Sequence, residues 1–517
     1  MGSDGTPLPC FYTLDVSLSL CLRRIPQTHP PRRARLSAHD DFNTPEDKRL
    51  VRKIDFRLIP ILTLLYLLSF LDRSNIGNAK IIGLVTDLKM DPAHYNTALA
   101  LYFVSYVIFE VPANNHLLKL DPVYTSLKRF DPQIWLPTLT FLWGTVTIGQ
   151  GFVKNQAGLL GIRFLLGMAE AGLFPGVIYV FSVYYRRHER SWRVAIFFGG
   201  AALAGAFGGI LAYAIGKMDG VSGLRGWAWI FILEGILTVA VSLFAYFVVP
   251  TWSHKAKFLT PEEKARLLQR LDTDSDAALI EKFQWKYVKQ ALLDHLVWGY
   301  AALFHGFAFV LYSLIRLPLR FAIFIFLNGK NNAVLRLTIP PNALASISIW
   351  TTVWISSKVD RRAPFIIGSA GLAILGYIIL LTTKTPGAQY VGVHFAAAGV
   401  YTGNALLLSW PGENVSAQTK RAVAVAMQIT IGDIGAIAGV LIYRPSLNAN
   451  HFRIPHIISI GYLLFAILVT LYLATWMGRE NKRRDEVLAS SKVEIPISSP
   501  LERQEQGDRE IRYRYVI

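Results

Sequence analysis

Two charged residues, Asp72 and Arg73, stand side by side near the far end of the apolar run LIPILTLLYLLSFLDRSNIGNA (58–79). A charge at the centre of a membrane span costs about 3 kcal/mol or more. An adjacent acid and base therefore need a cavity, a partner or a bilayer edge. About 15 residues at 1.5 Å rise separate Arg57 from Asp72, short of a full crossing. The spacing predicts a cavity-facing pair rather than two side chains snorkelling to the outer edge.

A second charged pair lies in GIRFLLGMAEAGLFPG (161–176), where Arg163 and Glu170 are seven residues apart. That spacing puts both on one helical face, about two turns apart. Arg163, near the outer end, reads as half of a structural interhelical bridge. Glu170 lies deeper and reads as a proton carrier. Asp433, among the glycines of ITIGDIGAIAG, is a third candidate for titration, whereas Glu110 and Glu234 read as packing groups. Tyr102, Tyr106 and Tyr179 could stack against an aromatic ring.

Other chemistries lack their motifs. There is no convincing Walker loop, zincin helix or nucleophile elbow. The two cysteines, Cys10 and Cys21, lie in the N-terminal tail and offer no metal site or disulfide framework. The reading is of a non-enzyme with no cofactor and no metal.

The elements that must position these residues are membrane spans. The 517 residues are 52% hydrophobic and 17% charged, with mean hydropathy +0.36; a soluble chain carries nearer a quarter charged residues. Apolar stretches near 57–78, 94–117, 134–153, 157–182, 194–216 and 228–249 precede a polar linker; others near 289–313, 337–357, 364–382, 389–411, 422–443 and 456–476 follow it. Each is long enough to cross a bilayer as a helix. The fold expected is all-α, with twelve transmembrane helices in two six-helix bundles. Its parts are a cytosolic tail (1–48), a first bundle (49–249), a cytosolic linker (250–288), a second bundle (289–477) and a cytosolic tail (478–517). In the linker, Thr260 is the expected N-cap of a surface helix opened by Pro261.

The net charge of +18 comes from cations clustered in short loops such as RRHERSWR (186–193) and SSKVDRR (356–362). That is an orientation signal rather than a nucleic-acid footprint. It puts both termini in the cytosol. Gly2 and Thr6 fit the loose myristoylation pattern, but a plain cytosolic tail is the simpler reading. LLKLDPVYTSLKRFDPQIW and SLIRLPLRFAIFIFLNGKNNAVLRL fit the span pattern poorly; the stretches near 119–128 and 315–335, with Arg316 and Arg320, read as loop elaborations or translated intervening sequence.

FLDRSNIGNA, RFLLGMAEAGLFPGVIY, YYRRHERSWRVAIFF, LRGWAWIFILEG and TKRAVAVAMQITIGDIG together resemble the fungal allantoate/nicotinic acid permease branch of the anion:cation symporters, within the major facilitator superfamily. SSKVDRRAP, with Asp360 and Arg361, resembles the facilitators' short basic loop motif, a structural or gating element. The resemblance implies proton-driven uptake of a small organic carboxylate by a monomeric, multi-pass protein of the plasma membrane, its partners being substrate, protons and lipid. Arg73 is then expected to meet the substrate carboxylate, since a guanidinium fork offers it parallel donors. Asp72 and Glu170 are the expected protonation sites, with ionised Asp72 holding Arg73. Asp433 stands where this branch has Asn. The alternatives are export of an acidic metabolite, which the proline-free LAGAFGGILA disfavours, and a non-transporting nutrient sensor.

Overall fold

The computed structural model describes residues 44–114, 131–273, 284–314, 337, 339–416, 418–442, 452–490 and 506–517. Cys10, Cys21 and the segments 119–128 and 315–335 lie outside them. Every element among the described residues is helical. Before the linker come α1 (Pro45–Ile81), α2 (Pro92–Asn114), α3 (Pro132–Gln150), α4 (Gln156–Tyr184), α5 (Arg187–Ile215) and α6 (Gly226–Val248). After it come α7 (His295–Leu314), α8 (Ile339–Val359), α9 (Ala363–Thr382), α10 (Pro386–Asn414), α11 (Gln418–Ile442) and α12 (Arg453–Ser490). Among the described residues, nine of these helices have the length and apolarity to cross a membrane.

Local sequence explains the main departures from straight spans. α4 pauses at Ala171–Gly172, between Gln156–Glu170 and Leu173–Tyr184. Pro175 lacks an N–H and its ring crowds the carbonyl of Ala171, which breaks the ladder at that turn. Glu170 is thereby the last residue of the first piece. α12 runs 38 residues, well past its apolar stretch. The linker helix Pro261–Thr273 begins as its sequence predicts: Glu263 N–H donates to Thr260 Oγ1 (3.2 Å) and Thr260 N–H to Glu263 Oε2 (2.9 Å).

Apolar residues cannot drive helix association in lipid, so small residues and close backbone approach carry it. A Cβ on Gly235 of α6 would meet Gly144 O of α3 at 2.8 Å and Ile148 N at 2.7 Å. On α4, a Cβ at Gly167 would overlap the Tyr102 carbonyl and Ser105 hydroxyl of α2. The two halves meet where α2 packs on α11, and where α5 packs on α8 and α10. The small-residue run 199–209 serves this seam, with Gly205 on Asn342 and Gly199 on Trp350.

Candidate functional site

Consecutive residues on a helix point about 100° apart, and that angle decides the fate of Asp72-Arg73. Arg73 shares a face with Ser69, four residues earlier; Asp72 shares one with Asn75. The pair therefore divides between two polar groups instead of forming an ion pair.

Arg73 looks toward α4, α2 and the second half. Its Nη2 lies 2.8 Å and its Nε 2.9 Å from Glu170 Oε1. Nη1 donates to the Tyr312 hydroxyl of α7 at 3.2 Å, across the seam between halves. The guanidinium stands 5.4 Å from the Tyr102 ring centroid and 5.1 Å from that of Tyr106, within cation–π range. Glu170 also accepts bonds from the Ser69 hydroxyl and from Tyr102 Oη, the latter at 2.6 Å. The Glu170 side chain is fully buried and that of Arg73 is 10% exposed. A buried ion pair is tolerable only when further hydrogen bonds satisfy both ions, and here Ser69, Tyr102 and Tyr312 supply them.

Asp433 on α11 is buried, within electrostatic reach of Arg73, Glu170 and Glu110. One turn earlier, Thr430 Oγ1 donates to Glu110 of α2 at 3.3 Å. Carboxyls from both halves thus lie around Arg73.

Asp72 faces the interior of the first bundle. Thr147 of α3 donates to its Oδ2 at 3.2 Å. Glu234 of α6 lies beside it, and takes a 2.6 Å bond from Asn75, itself bonded to Asn78 at 2.7 Å. Arg163 belongs to this group rather than pairing with Glu170; its guanidinium lies 5.9 Å from the Phe231 ring centroid. Arg163 Nε and Nη2, and both polar atoms of Gln150, have no hydrogen-bond partner among the described residues. Unsatisfied buried polar atoms are costly. Glu234, taken from the sequence as a packing group, is the acid that accompanies Asp72; its one sequence signal is a lone carboxyl in an apolar helix.

The remaining candidates lie elsewhere. Tyr179 sits edge-on to Trp252 of the linker at 5.8 Å and is not gathered with Arg73. Asp360 and Arg361 are exposed in the α8–α9 turn, where Asp360 adopts φ 54°. The buried member of that motif is Arg362, whose Nε and Nη2 grip Glu413 at 3.0 and 2.9 Å. Glu413 also accepts a bond from Ser191 of α5, in the first half. Sequence reading missed both Arg362 and Glu413. No cluster of metal-ligating side chains occurs among the described residues.

The family model for the Major Facilitator Superfamily matches residues 62–440. The MFS transporter prlL of a fungal species (strain NRRL 50135) is 31% identical over 455 residues, covering 86% of this chain and 90% of its own. The high-affinity nicotinic acid transporter of Saccharomyces cerevisiae is 30% identical over 446 residues, covering 86% and 80%. Among solved structures, the proton:xylose symporter XylE bound to 6-bromo-6-deoxy-D-glucose superposes with TM-score 0.60 at 15% identity, covering 81% of this chain and 95% of its own; it speaks to fold alone. The all-helical architecture of the described residues, a seam built on α2–α11 and α5–α8, and a family match over residues 62–440 make this chain a transporter of the major facilitator superfamily.

Proposed function

We propose that this transporter carries a small organic carboxylate inward together with protons, Arg73 binding the carboxylate. The observation that carries this reading is the buried Arg73 guanidinium held between Glu170 of one half and Tyr312 of the other. A substrate bound there touches both halves at once, as alternating access about a central site requires. The nicotinic acid transporter among its relatives supports a carboxylate as substrate. Tyr102 and Tyr106 flank the guanidinium and suit a flat ring beside the acid group.

Proton coupling follows from charge balance. Ionised Glu170 occupies the Arg73 fork; once protonated, it releases the fork to the incoming carboxylate. The guanidinium is then never left bare in a low-dielectric site. This replaces the expected Asp72–Arg73 exchange, because Asp72 lies on another face of α1. Among the described residues Arg163 is the cation whose charge acts on both Asp72 and Glu234, so one proton makes that group neutral. It is a second place for a transported proton, off the substrate path. One proton with a monoanion is electroneutral, and a second adds about 2.3 kcal/mol of drive per 100 mV.

In this reading the bundles 49–249 and 289–477 rock about Arg73. The linker 250–288 and both tails lie in the cytosol, and the protein works as a monomer in the plasma membrane. The test is uptake of radiolabelled nicotinate and other aromatic acids into cells lacking their own carrier. Accumulation that rises with external acidity and collapses with a protonophore supports the proposal. Uptake indifferent to the proton gradient, or net efflux, ends it.

A further inference from the structure

Past α12 the chain returns to the end of the molecule that carries the linker. Residues 506–517 bind there along a built track. Lys420 Nζ, at the start of α11, lies 2.7 Å from both Asp508 and Asp294. Arg484 of α12 donates to the carbonyls of Asp508 and Tyr513, each at 2.9 Å. Asn481 grips the backbone of Tyr515 by both amide atoms, at 2.9 and 2.9 Å. Asn414 grips Val516 in the same two-point way, at 2.7 and 2.9 Å. Trp410 Nε1 donates to Val516 O (2.8 Å), and Arg362 N–H to Ile517 O (2.6 Å). Tyr513 and Tyr515 are buried, and Tyr515 packs on Trp476.

Two asparagines, Asn414 buried and Asn481 half-buried, each use donor and acceptor on one residue's backbone and so specify an extended peptide in one register. The track also ends at a particular place. Tyr513 Oη donates to the Glu413 carbonyl at 3.2 Å, Ile517 holds the backbone of Arg362, and Val516 holds Asn414. The track thus holds the Glu413 backbone itself, the next residue, and Arg362, whose guanidinium grips the Glu413 carboxylate. That carboxylate crosses to Ser191 of the first half. Opening this end of the seam must break the Ser191–Glu413 bond.

We propose that residues 506–517 are a strap that positions Glu413 for its bond to Ser191 and so sets how readily the linker end of the seam opens. The strap's direct partners all belong to the second half or its approach. It acts as a positioning element, stiffening one side of the latch without touching the other. Releasing it shifts the population toward the state open at this end. This inference goes beyond the transport reading and is independent of which substrate is carried.

The experiment uses the full chain with Cys10→Ser and Cys21→Ser, spin-labelled at two exposed positions. One is Lys255→Cys, in the linker just past the Trp252 that packs on Tyr179 of the first half; the other is Lys358→Cys, on α8 of the second half. Double electron–electron resonance reads the distance between them. Val516→Pro removes the N–H donated to Asn414; Tyr513→Phe removes only the hydroxyl on Glu413. The expected result is a population at longer distance that grows about threefold or more with Val516→Pro and less with Tyr513→Phe. Ser191→Ala should give the same shift with the strap intact. Unchanged distances in folded, monodisperse Tyr513→Phe and Val516→Pro protein, beside a shift with Ser191→Ala, would overturn the strap. If Val516→Pro fails to fold, Tyr513→Phe alone decides: a shift supports the strap, no shift rejects it. Loss of nicotinate uptake does not enter this readout, so failure of the transport proposal remains distinguishable.

Discussion

Arg73 and Glu170 form the pair on which substrate binding is proposed to turn, and their variants separate binding from coupling. Arg73→Lys keeps the charge but loses the fork that spans Glu170 and Tyr312, so affinity for a carboxylate should fall at least tenfold, about 1.4 kcal/mol. Glu170→Gln leaves a neutral partner on the fork. Uptake should then lose its dependence on external pH while exchange of labelled for unlabelled substrate persists. Proton-driven accumulation by this variant would remove Glu170 from the coupling role. Asp72→Asn tests the other polar group. Asp72 faces Thr147 and Glu234, away from Arg73, so this variant should change the pH profile of uptake and leave KM within about twofold. A large rise in KM would show that Asp72 reaches substrate after all.

At the scale of elements, the packing of α3 on α6 rests on backbone contact at Gly235 and Gly144. Gly235→Leu forces those helices apart and should cost about 1–3 kcal/mol, seen as a lower Tm in detergent. Gly461→Leu on α12, where a Cβ meets nothing within 4 Å, is the matched control and should leave Tm unchanged. The linker helix offers an electrostatic test. The Lys53 ammonium, 2.7 Å from Glu263, holds that carboxyl below its usual range. A depressed carboxyl stabilises above its unfolded pKa, and the effect is lost as pH falls through the folded value. Because both side chains are substantially exposed, Lys53→Ala should cost no more than about 1 kcal/mol at pH 7 and nothing measurable well below pH 4.

For the whole molecule, the number of protons moved per substrate decides whether the membrane potential does work. With both the Glu170 and the Asp72–Glu234 groups loading, transport of a monoanion should carry inward current. With the Asp72–Glu234 group disabled it should become electroneutral, and with Glu170 replaced it should become uncoupled. Current recorded against uptake in the same cells gives the ratio directly. A ratio that is the same in wild type, Glu170→Gln and Asp72→Asn would refute a two-site cycle.

The sequence by itself determined that the chain crosses a membrane repeatedly, that Thr260 caps the linker helix, and that a guanidinium and several carboxyls lie inside apolar helices. These follow from hydropathy and capping, which act within one or two turns of the chain. The break of α4 after Glu170, within a stretch read as one span (157–182), emerged only in the structure. Tertiary structure alone decided the partners. Arg73 meets Glu170 and Tyr312, its neighbour Asp72 meets Thr147 and Glu234, and Arg362 rather than Arg361 takes Glu413. It also decided that residues 506–517, which read as a plain charged tail, lie in a specific track. Helical period fixes which residues share a face, but which face meets which depends on contacts between helices distant in the chain. No local pattern encodes that choice.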